Sequence, residues 1–115
     1  MHDRIYILNI RQISFDIDRD TGKLYYEVDR CSGEENASNR LVGYFDSMEK
    51  AKEARKTIES EFSANLYDKY YVQNSPGETI RTVRYLCKNV KGKPMNYGEE
   101  LNMRITAVPM NQILL

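Results

Sequence analysis

A chain of 115 residues, 41% hydrophobic and 30% charged, has the size and make-up of one folded domain: disorder would need fewer apolar residues, and a second core needs roughly 250 residues. Its 17 basic and 17 acidic side chains cancel, which excludes the bulk positive field on which non-specific nucleic-acid binders depend. Two cysteines, Cys31 and Cys87, fit neither a zinc spacing nor a disulfide scaffold, so they are expected as buried thiols, and no metal or cofactor is expected.

Strand character begins at Arg4. The first apolar run, Ile5 to Ile10, is broken by Asn9 and too short for a signal segment or a membrane span, so a cytoplasmic location without membrane association is expected. Ile13, Phe15 and Ile17 alternate with Ser14, Asp16 and Asp18, the period of two that puts one side of a strand on a core. Leu8 and Ile10 have the opposite parity, and keeping both sets on one apolar face predicts a β-bulge near Arg11-Gln12. Leu24, Tyr26 and Val28 repeat the alternation after the turn Asp18 to Lys23, where Gly22 supplies a left-handed position. This is a hairpin pairing Ile17 with Leu24, Phe15 with Tyr26 and Ile13 with Val28. The polar stretch Ser32 to Arg40 reads as a loop, and Leu41 to Phe45 as a short third strand.

Asp46-Ser47-Met48-Glu49 supplies an N-cap carboxylate and a glutamate three positions on, which predicts a helix start. Met48, Ala51, Ala54, Ile58, Phe62 and Leu66 mark its buried side by their spacing; Glu49 with Lys52, Glu53 with Lys56, and Arg55 with Glu59 mark a solvated one. Beyond the helix, Tyr70 to Val72, Ile80 to Cys87 and Leu101 to Ala107 read as strands, with a turn at Asn74 to Gly77 and a stop at Pro109. The expected fold is a single α+β domain over residues 1–115: an antiparallel sheet of about five to six strands with one amphipathic helix on one face, in the order β-β-β-α-β-β(-β). Gly43-Tyr44-Phe45-Asp46-Ser47, opening an alanine-containing helix after three strands, loosely resembles the DNA arm-binding domains of phage-type integrases over less than half of the chain. That resemblance implies a basic first hairpin, whereas residues 1–46 carry six basic against nine acidic side chains.

Asp16, Asp18 and Asp20, with Glu27 further on, have the oxygen-ligand spacing of a calcium loop, but Thr21 stands where such a loop has glycine, and gathering the carboxylates would unmake the hairpin. A polar hairpin tip is expected instead. His2 is the only histidine, and nucleophile elbows, phosphate loops and paired-histidine motifs are missing, so a non-enzymatic role is expected; the remaining enzymatic reading is a pair of converging carboxylates. Nine tyrosines against three phenylalanines form the compositional outlier. If Tyr26 is inside with Phe15, Tyr25 is outside, and one of Tyr70-Tyr71 is outside by the same alternation. Tyr25 and Tyr70, with the apolar C-terminal residues Ile113, Leu114 and Leu115, are therefore the candidate protein-binding residues, the tail docking on its own core or on another chain. The leading expectation is a protein-binding module, such as a small inhibitor, adaptor or accessory subunit. The alternative is nucleic-acid binding through the basic segment 81–97, with Arg81, Arg84, Lys88, Lys91 and Lys93 tracking phosphates.

Overall fold

The computed structural model describes residues 4–18, 20–26, 37–64, 67–89 and 91–109. Among these residues six strands, β1 (Arg4–Ile17), β2 (Leu24–Tyr26), β3 (Ala37–Phe45), β4 (Tyr67–Asn74), β5 (Ile80–Lys88) and β6 (Pro94–Pro109), surround one α-helix in the chain order, α1 (Met48–Ser63), which follows β3. The class is α+β, as expected. All pairings are antiparallel. β1 and β6 form the centre, paired from Arg4–Pro109 to Asp16–Tyr97; β5 and then β4 continue beyond β6, while β3 and β2 share the other edge of β1. The strands run further than alternation alone indicates: β3 starts at Ala37, inside the expected loop, and β6 starts at Pro94. No helix among the described residues is long and apolar enough to cross a membrane.

α1 lies across one face of this sheet. Its cap is Ser47, extended at φ −147 and ψ 156, whose hydroxyl accepts from the Lys50 amide at 3.2 Å. Asp46, expected as the cap, stands one residue too early to reach the free amides and instead pairs with Lys50 Nζ at 2.9 Å. Met48, Ala51, Ala54, Ile58 and Phe62 turn toward a core of Leu8, Ile10, Val83, Tyr85, Leu101, Met103 and Ile105. Leu66 lies outside the described residues. Each large aliphatic chain buried here contributes roughly 1.5–3 kcal/mol, which holds the helix on the sheet. Arg55 and Glu59, expected on the solvated side, are 4% and 5% exposed. They lie where the helix overhangs β4 and β5, and Glu59 binds Lys69 and Arg81 from those strands.

The expected bulge in β1 is absent. Its register with β6 is continuous, so Ile13, Phe15 and Ile17 lie on the face opposite Leu8 and Ile10. The irregularity sits in β3 at Val42, between the pairs Leu8–Gly43 and Asn9–Leu41. β1 has no need to slip, because both of its faces are buried in different places. The hairpin pairs Phe15–Tyr26 and Ile17–Leu24 form as expected; Val28 lies outside the described residues. At its tip the Asp18 amide donates to the Lys23 carbonyl at 2.9 Å, Gly22 takes φ 71, and the Asp18 carboxylate accepts the Asp20 amide at 2.9 Å. The carboxylate most central to the calcium-like spacing is thus engaged by its own turn.

Candidate functional site: the helix-free face of the sheet

The continuous registers stack side chains in rows across the face that α1 leaves open. One row runs Leu41, Asn9, Arg104 and Ile80 over β3, β1, β6 and β5; the next runs Asn39, Arg11, Asn102, Thr82 and Gln73; the third runs Ala37, Ile13, Glu100, Arg84 and Tyr71. Where the first two rows meet β3, they line a cleft of about 300 Å³. Among the described residues its polar lining on this face is Arg11 and Arg104 with Asn9, Asn39 and Asn102, none of them a carboxylate; Arg40 also borders it, but pairs with Ile10 and by register belongs to the helix side. Asn102 is oriented by a 2.9 Å bond from its side-chain amide to Thr82 Oγ1. Beside the cleft Leu41 and Tyr44 are 49% and 64% exposed. Tyr44 sits opposite Ile7 on the same face, so the apolar ledge and the arginines are contiguous.

At its other end this face is closed. Phe15 is fully buried, and its ring meets Tyr26 at 6.2 Å and Tyr70 at 6.5 Å between centroids, both edge-on. A flat sheet would hold β4 roughly 14 Å from β1, three strand spacings away. The rings bridge that distance by leaning toward each other from the two strands, and Gly98 lets the Phe15 ring lie down across β6: a Cβ at Gly98 would stand 2.6 Å from Phe15 Cζ and collide with the Tyr85 backbone carbonyl. A polar network covers the rings. Arg84 Nε donates to Glu100 Oε1 at 2.8 Å, Tyr26 donates to the same oxygen at 3.2 Å, and the Arg84 guanidinium lies 4.4 Å from the Tyr71 ring centroid. Burial, then the neighbouring Glu100 charge, pushes the Tyr26 phenol up from its ordinary value.

Of the residues singled out for protein binding, Tyr25 is 50% exposed and Tyr70 is 44% exposed, but they do not come together. Tyr25 pairs with Asp16 on the helix side of the sheet. Tyr70 is the extra residue of a bulge between Lys69 and Tyr71, so both tyrosines of this doublet reach the helix-free face and simple alternation does not apply. Ile113, Leu114 and Leu115 lie outside the described residues. The basic segment is dispersed by the strand it forms: Arg81 turns to Glu59 under the helix, Arg84 to Glu100 on the open face, Lys88 pairs with Asp68 at 2.8 Å, and Lys91 and Lys93 sit at the β5–β6 turn. Among the described residues the buried carboxylates do not converge either. Glu99 binds Ser14 and Tyr97 on one face, Glu100 binds Arg84 on the other, and Glu59 belongs to the helix. Arg11, Arg40 and Arg104 went unrecognised as a group because they come from three strands far apart in sequence. No protein-family model, curated protein or solved structure matches the chain.

Proposed function

We propose that the protein is a non-enzymatic, cytoplasmic protein-binding module that receives an acidic segment of its partner on the helix-free face of the sheet, where β3, β1 and β6 meet. The observation that carries this reading is the cleft of Arg11, Arg104 and three asparagines, with no carboxylate among its described lining residues, set against the exposed Leu41 and Tyr44. Arginine forks bind carboxylates bidentately, and a tyrosine beside arginine is the composition of interface hot spots. The face is favoured over the β3 edge, since the irregularity at Val42 interrupts the regular ladder that an added strand requires. A neutral chain, with its basic segment split between two faces, supports a local acidic partner over a nucleic-acid backbone.

The test is fluorescence anisotropy with an acidic peptide containing alternating apolar residues, its charge-reversed counterpart, and a single-stranded oligonucleotide. Binding of the acidic peptide alone is expected, weakened on the order of tenfold or more by Arg104→Glu, about the worth of one charge-assisted contact. Tighter binding of the oligonucleotide would transfer the face to nucleic acid. Equal binding of both peptides would remove the charge argument altogether.

A further inference from the structure

We propose that a second cleft, between α1, β4 and β5, binds a small phosphate-type oxyanion, either inorganic phosphate or a terminal phosphate group, on the buried Arg55 guanidinium. This site is independent of the helix-free face. The cleft measures about 340 Å³ and, among the described residues, presents Lys52, Arg55, Lys56, Lys69 and Arg81 against two carboxylates, Glu59 and Glu78. In a chain of zero net charge, a surplus of three positive charges in one recess is a local construction rather than a general property of the surface.

Both carboxylates are already committed. Glu59 receives Arg81 through its two oxygens, at 2.7 and 2.9 Å, and Lys69 at 3.0 Å; Glu78 receives Lys52 at 3.1 Å. Arg55 Nη1 donates to the Glu78 carbonyl at 2.7 Å, a neutral acceptor. That carbonyl is presented by a non-glycine residue at φ 59, in the left-handed region where backbone strain is retained mainly for a purpose. Burial, with Arg81 close by, pulls the Arg55 guanidinium below its ordinary value, so a cation is being held where cations are disfavoured. Glu59 and Glu78 act on Arg55 through space and do not outweigh its burial; a dianion in the cleft supplies a charge bonded to it directly. The planar guanidinium suits bidentate contact with two of its oxygens, and Lys52 and Lys56, nearer solvent, act as point charges.

Size restricts the ligand. Small-molecule sites span about 300–1,000 Å³, so this cleft lies at the lower end. A phosphodiester inside a polymer has two free oxygens and bulk on both sides. A terminal phosphate points three oxygens in one direction, which is what a recessed guanidinium can receive.

The experiment is calorimetric titration of the full chain with inorganic phosphate and with phenyl phosphate, against sodium chloride at matched ionic strength. Saturable uptake beyond the chloride control is expected, on the order of tenfold weaker in the K52Q/K56Q double variant and lost in Arg55→Gln, while Lys50→Gln, outside the cleft, binds as the native chain. Uptake of inorganic phosphate alone supports the site with the free anion as its ligand; uptake of both supports a phosphomonoester. Heats matching chloride, unchanged affinity in K52Q/K56Q, or equal weakening by Lys50→Gln would each overturn the proposal. Should Arg55→Gln fail to fold, K52Q/K56Q with a native circular-dichroism spectrum decides.

Discussion

On one face of the sheet Leu8, Val83, Leu101 and Met103 are sealed by an entire helix; on the other, Phe15 is sealed equally well by single side chains from β2 and β4 leaning over a glycine. Both solutions bring exposure to zero, but they leave different surroundings. The helix brings its own polar stripe, so its border against β4 and β5 becomes a charged cleft. The rings close only the Phe15 end and leave the rest of their face open, where arginine and asparagine rows meet β3. A long strand can therefore serve two small cores of opposite parity, and the open surface lies where neither cover reaches.

If Phe15 anchors a true second core, Phe15→Ala should cost about 3–5 kcal/mol in urea melts, no less than the roughly 2–5 kcal/mol expected for Leu101→Ala beneath the helix. A loss under about 1 kcal/mol would reduce the open face to a decorated surface. The helix face should be distinguished by acid. Burial alone would raise the Glu59 carboxyl, but the bonds from Arg81 and Lys69 prevail and hold it below its ordinary 4.5. A carboxyl depressed in the folded state contributes stability that is fully present above the unfolded value and lost as pH falls through the folded one. Stability should therefore drop below about pH 4.5, and Glu59→Gln should cost roughly 1.5–3 kcal/mol at neutral pH while flattening that acid limb. An unchanged acid limb in the variant would assign the transition to other carboxylates.

The Phe15 end has its own test. Gly98→Ala should cost roughly 1–3 kcal/mol, as overpacking does, because the new methyl meets both the Phe15 ring and the Tyr85 carbonyl. Combining it with Phe15→Leu removes the ring atoms but not the carbonyl, so the double variant should lose less than the sum of the singles. Strict additivity would mean that the glycine and the ring do not touch.

Much of this architecture was legible locally. The period of two on either side of Gly22 sets the hairpin register, and the three-and-four spacing from Met48 to Phe62 picks out the helix face, because both depend only on neighbours in sequence. The missing parts are non-local. Parity shows that Leu8 and Phe15 point opposite ways, but only the pairing with β6 reveals that each direction has a cover. Arg55 and Glu59 have the spacing of a solvated pair, and nothing in the helix itself announces that Lys69 and Arg81 will enclose them. The arginine cleft draws on β1, β3 and β6, which meet only in the folded sheet.

Tyr25 and Tyr70 offer the finest discrimination, since both are about half exposed and sequence treats them alike. Tyr70 meets Phe15 edge-on, and such aromatic pairs contribute about 0.5–1.5 kcal/mol beyond burial, so Tyr70→Ala should destabilise the fold by about that much. Tyr25 faces the other way, with Lys23 Nζ 5.6 Å from its ring centroid, and Tyr25→Ala should stay within about 0.5 kcal/mol, as for ordinary surface changes. Coupling supplies the control. In the Phe15→Leu background the edge-on contact is gone, and the cost of Tyr70→Ala should shrink while that of Tyr25→Ala stays the same. Equal costs for the two tyrosines, or no coupling to Phe15, would mean that the β4 ring does not help to seal this end.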